Sequence, residues 1–248
     1  MKSLHLVSLL PAVFGFGCAI APTVTLTADA FPVSNVSTES YAKGQQIGDE
    51  SFPPLQRLAE SSMTILEGRW AAKGETVYGI TGTYYGAQKH RWWSIEVCSQ
   101  ATRKQRKAIA EAASGCEIEL GWAVNASLRI CPRFERKSFP WGQAVSFLAQ
   151  YQNDNTTYVP NNGMLSYEVH GVTQDGKYVR ARFGVTHPKL AEFGSGVRDY
   201  RDNGPADLTS PMRKDPHYRL VEAASAESFE PSLAEIDRFL GTLKTAKP

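Results

Sequence analysis

Charge of one sign, cysteine and long apolar runs are all scarce in this chain of 248 residues. Lys and Arg number 27 against 25 Asp and Glu, a net charge of +2, so neither a nucleic-acid surface nor an acidic partner-seeking surface is expected. Four cysteines are too few for a disulfide-dense miniature scaffold. The single marked apolar run, Leu4 to Phe16, is shorter than the roughly 20 residues that cross a bilayer, so no transmembrane span is expected. Catalytic and ligand signatures are missing too. His90, His170, His187 and His217 form no H-x-H, H-E-x-x-H or Cys-His spacing, which excludes a recognisable zinc site. There is no G-x-S-x-G elbow, and the glycines between Tyr78 and Gly86 fit neither a P-loop nor a dinucleotide fingerprint. Asp199, Asp202, Asp207 and Asp215 lack the regular spacing and final Glu of a calcium loop. No metal and no cofactor are expected.

What is present begins with a leader. Lys2 gives a positive start, the apolar run follows, and Ala28-Asp29-Ala30 is a small-x-small triplet of the kind signal peptidase accepts. Residues 1–30 are therefore read as a secretory signal, 31–53 as a flexible Ser/Thr/Gly/Pro-rich leader segment, and 54–248 as a single domain, secreted or periplasmic. Two rival processings stay open. Cleavage after Ala19-Ile20-Ala21 would leave Pro22 first, and lipidation of Cys18 would tether the domain to a membrane.

Along the chain, Leu55, Leu58, Ala59, Ile65 and Leu66 suggest a short helix. Tyr78 to Tyr84 and Arg91 to Cys98 read as a hairpin, with Trp93, Ile95 and Val97 on its core face. Thr102 with Gln105 makes a capping box for a helix ending at Gly115. Its basic residues Arg103, Lys104, Arg106 and Lys107 read as a solvated face. Short strands Glu117 to Val124, Ser127 to Cys131 and Ala144 to Tyr151 follow.

The clearest pattern is a second hairpin. A two-residue loop Asp175-Gly176 would put its apolar faces out of phase, whereas a three-residue loop Gln174-Asp175-Gly176 pairs Val169 with Ala181 and Tyr167 with Phe183 on the buried face. Glu168 then meets Arg182, and His170 meets Arg180, on a face expected to be solvated. Ser166, Glu168 and His170 carry the residue types of a hydrolase triad, but alternate strand residues stand about 7 Å apart. Residues 187–216 read as a long irregular loop, and Pro231 as the first position of an amphipathic helix carrying Leu233, Ile236, Phe239, Leu240 and Leu243. The class that results is α+β: a mainly antiparallel sheet with helices packed on it.

The stretch FLAQYQNDNTTYVPNNGMLSYEVHGVTQDGKYVRARFGVTHPKL, with SFEPSLAEIDRFLGTL near the end, resembles a group of uncharacterised exported bacterial proteins. The layout is also similar to PsbP- and Mog1-like α/β/α domains, which implies a role in docking to partners. In an oxidising compartment the three cysteines after the leader imply one bridge and one thiol. Cys98 and Cys116 stand at opposite ends of the expected helix, too far apart to join. Cys116 with Cys131 is the expected pair, and Cys98 with Cys131 the alternative.

One surface stands out as a candidate site. Tyr84, Tyr85, Lys89, His90, Arg91 and Trp92 gather aromatic faces and positive charge at the tip of the first hairpin, chemistry suited to a protein hot spot or a sugar ring. The expected role is a non-enzymatic exported domain that binds a protein or glycan partner in the cell envelope or extracellular space. The alternative is a secreted hydrolase of unfamiliar type drawing on residues 187–216 with His170 or His187.

Overall fold

The computed structural model describes residues 92–115, 127–152, 157–191 and 214–245, with strand segments at 24–25, 33–41, 46–47, 55–56, 61–69 and 197–198. Its centre is an antiparallel sheet of eight strands: β1 (Val33–Tyr41), β2 (Ser61–Arg69), β3 (Trp92–Cys98), β4 (Ser127–Ile130), β5 (Glu135–Phe139), β6 (Gly142–Gln152), β7 (Leu165–Thr173) and β8 (Tyr178–Gly184). They lie in the order β1-β2-β3-β8-β7-β6-β4, and β5 also pairs with β6. Three helices complete the described core: α1 (Arg103–Glu111), α2 (Pro216–Ala223) and α3 (Leu233–Leu240). The α+β class is therefore observed.

The second hairpin has the expected register. Tyr167 faces Phe183, Glu168 faces Arg182, Val169 faces Ala181 and His170 faces Arg180. Gly176 takes a φ of +86°, the left-handed conformation the three-residue loop requires. Arg106 of α1 donates from Nη2 to the Gly176 carbonyl at 3.0 Å, which ties that turn to the helix.

Trp93, Ile95 and Val97 are buried, as their alternation implies, together with Tyr167, Val169, Val179, Ala181 and Phe183. Leu233, Ile236, Phe239 and Leu240 cover this face. The helix that carries them, α3, is strongly amphipathic, with an apolar stripe at 3.6-residue spacing meeting the sheet. Trp141 anchors its end by donating from Nε1 to the Leu240 carbonyl at 2.8 Å. On the opposite face Ile109 and Ala112, at the end of α1, pack on Val145, Phe147 and Ala149.

Several expectations are corrected. The segment expected as a helix near Leu55 to Leu66 contains strand β2 instead. Both edges of β3 are filled, by β2 and by β8, so Tyr78 to Tyr84 cannot be its hairpin partner; that stretch itself lies outside the described residues. The leader segment 31–53 contains β1, paired along its length with β2. Helix α1 closes at Ala112 rather than at Gly115, because Ala112 turns to an extended conformation. Pro231 precedes α3 instead of opening it: Ser232 caps the helix by accepting from the Glu235 amide, so Leu233 is the first helical residue. Helix α2 was not anticipated, although Asp215 before Pro216 is an N-cap followed by the proline of a first turn. Residues 116–126, with the expected strand from Glu117, lie outside the described residues.

Candidate functional site

The face expected to be solvated is buried. Glu168 and His170 have 0% exposure and Arg180 4%, although each stands on the non-core side of the alternating pattern. The cause lies in the layers: α1 and the segment around Cys131 cover β6 and β7 there, so both sheet faces carry packing. Ionised groups so placed must be compensated by partners.

Glu168 is the hub. Its Oε1 is 2.7 Å from Arg182 Nε and its Oε2 is 3.7 Å from Arg180 Nε. Arg180 reaches on to Glu96 Oε2 at 3.9 Å. Glu168 Oε2 also contacts His170 Nε2 at 2.9 Å, and His170 Nδ1 contacts the Tyr178 hydroxyl at 2.7 Å. Burial alone would raise the Glu168 pKa, but the charges of Arg182 and Arg180 and the hydrogen bond from His170 outweigh it and hold the carboxyl well below the usual range. His170 moves down, chiefly through burial, with the two arginines adding to the effect against the pull of Glu168.

Those two directions favour the same proton positions. An ionised carboxylate only accepts, so His170 Nε2 donates to Glu168. A neutral imidazole then has an accepting Nδ1, so the Tyr178 hydroxyl donates to His170. Phe147 stacks on the imidazole with centroids 5.6 Å apart and fixes its plane. Formal charge cancels across Glu96, Glu168, Arg180 and Arg182.

This arrangement cannot serve as a hydrolase triad. Both nitrogens of His170 are committed and its ring has no solvent access. Ser166 donates its hydroxyl to the Ala149 carbonyl at 3.3 Å rather than to His170. The network's outer end is different. The Arg182 guanidinium carbon lies over the rings of Trp92 and Tyr151, 5.0 Å from each centroid. Its side chain keeps 24% exposure.

Of the residues singled out from sequence, Trp92 lies at the start of β3, half-buried and against Arg182. Tyr84, Tyr85, His90 and Arg91 lie outside the described residues. Arg182 and Tyr151 were missed as partners of Trp92, since they come from β8 and β6 and only the sheet order brings them together. Cys98 carries a buried thiol, which removes its pairing with Cys131; Cys131 is buried and Cys116 lies outside the described residues.

A second feature is a cleft of about 480 Å³ lined by Asn162, Thr186, His187, Glu227, Ser228 and Phe229, among others. His187 Nδ1 accepts from the Lys189 amide at 3.2 Å, and Ser228 donates to the Ser225 carbonyl at 2.7 Å, so the two side chains are not coupled. Burial lowers the His187 pKa, with the Lys189 charge adding to it. Among the described residues no group of three or more His, Cys, Asp or Glu is arranged to hold a metal, and no helix is long and apolar enough to cross a membrane. No family profile, curated protein or solved structure matches the chain.

Proposed function

We propose that this protein is an exported, non-enzymatic domain that binds a partner through the surface built on Trp92, Arg182 and Tyr151. The observation that carries the reading is the held guanidinium: the buried Glu168 carboxylate stands 2.7 Å from Arg182 Nε, and the rings of Trp92 and Tyr151 lie against it. Trp, Tyr and Arg are the residues that dominate binding energy at protein interfaces, and a rigid arrangement loses little entropy when a partner arrives. The resemblance to exported proteins and to docking domains points the same way. The partner class on this reading is a protein or a glycan of the envelope or extracellular space.

Export rests on residues 1–30 as a removable signal. Val24–Thr25 pairs with Lys244–Thr245, so cleavage after Ala30 would discard that small ladder. Cleavage before Pro22, or a lipid on Cys18, would keep it and in the second case tether the domain. In an oxidising compartment Cys116 and Cys131 form the bridge on this reading.

The hydrolase reading keeps one supporting observation, a cleft in which His187 stands with Glu227 and Glu230. It lacks the contact between base and nucleophile that such chemistry uses.

The test is affinity capture from envelope extract with wild type and Trp92→Ala, folding being verified by near-ultraviolet circular dichroism. A partner held by wild type and lost with Trp92→Ala is expected. Identical captures from both proteins would overturn the reading.

A further inference from the structure

We infer that Arg182 is a preformed receptor for a single carboxylate, contributed by an aspartate or glutamate side chain of a protein partner. The inference rests on the binding role proposed above and names the chemistry of the same site.

Arginine has five N–H donors. In Arg182, Nε stands 2.7 Å from Glu168 Oε1 as an ion pair without hydrogen-bond geometry, and the two Nη groups remain. Among the described residues neither Nη has a hydrogen-bond partner, and the side chain is 24% exposed. Their remaining donors form the end-on fork that matches the two oxygens of a carboxylate. The guanidinium carbon lies over the rings of Trp92 and Tyr151, 5.0 Å from each centroid, so both rings crowd the guanidinium and favour approach at its Nη edge. Two parallel N–H donors fit a planar acceptor.

Charge decides between a carboxylate and a dianion such as phosphate. Glu96 and Glu168 already cancel Arg180 and Arg182. A carboxylate adds one charge and takes the two end-on N–H donors, whereas a dianion would bring a second charge close to the buried Glu168. Protein is favoured over glycan because the Trp92 and Tyr151 faces on Arg182 are occupied, so the rings serve the guanidinium rather than offering those faces to a sugar.

Side-chain ¹H–¹⁵N spectra of the arginine-labelled full chain would test this. The probes are a blocked pentapeptide with one central glutamate, its glutamine counterpart, glucuronate and inorganic phosphate. Saturable shifts of the Arg182 Nη signals with the glutamate peptide are expected, with none from the glutamine peptide. Arg182→Lys keeps the charge but not the fork, and binding about tenfold weaker is expected for it. Equal response to the glutamine peptide, tighter binding of phosphate or of glucuronate, or unchanged affinity in a folded Arg182→Lys protein would each overturn the inference. If the peptide fails while capture stays sensitive to Trp92→Ala, the carboxylate inference is wrong and the binding role stands. If capture is insensitive to Trp92→Ala, the binding role falls and the inference falls with it.

Discussion

Glu168 shows how far one side chain can organise a surface it does not reach. It is fully buried, and it positions Arg182, whose far end is exposed. Replacing it by glutamine keeps the shape and removes the charge that answers two arginines. Glu168→Gln should lower unfolding stability in urea by about 3 kcal/mol or more, since breaking a buried pair from one side leaves uncompensated charge. Acid acts on the same residues. His170 has a folded pKa below its ordinary 6.5, so the unfolded chain binds the proton more readily and stability falls as the pH drops below that value. Glu168 is depressed from 4.5, so its contribution is present above that value and is lost as the pH falls through the folded pKa. Stability should therefore decline in two stages on acidification, measured by thermal melts. His170→Gln should diminish the first stage, to which His187, also lowered, contributes.

At the scale of the element, the turn at Gly176 carries the most specific demand. Its φ of +86° suits glycine, and an added Cβ would stand 2.8 Å from Arg106 Nη2. Gly176→Ala should cost about 1 kcal/mol or more in denaturant unfolding, the strain of the left-handed backbone being the main part. This hairpin was legible because parity and turn chemistry allow only one register between Leu165 and Gly184. The first hairpin was misread for the opposite reason: alternation in Trp92 to Cys98 reveals a two-faced strand without saying which strands flank it. Polar residues alternating along a strand imply a solvated face only where nothing packs on that side of the sheet. Ile109 and Ala112 of α1 dry that side, and nothing in the pattern of Ser166, Glu168 and His170 discloses this. For the same reason Trp92 was found as a candidate while its clamp on Arg182 and Tyr151 was not.

For the whole molecule, the sheet is assembled from distant parts of the chain. The meander β6-β7-β8 is local, whereas β3 reaches β8 across a long separation. Glu96 from β3 and Arg180 from β8 put the charged network across that junction. Processing belongs to this scale as well. Mass analysis of the exported protein without reductant should give a chain starting at Phe31, with the peptides of Cys116 and Cys131 linked. A start at Pro22, or a lipid on Cys18, would reassign the leader.

The junction between β3 and β8 also divides the protein into two pieces that could be made separately. A piece ending before β4 would display the bare edge of β3, and the remainder the bare edge of β8. Each bare edge is a row of unpaired backbone donors and acceptors, ready to recruit a second chain. Mixed promptly, the two pieces should reassemble along that line; left apart, each should aggregate.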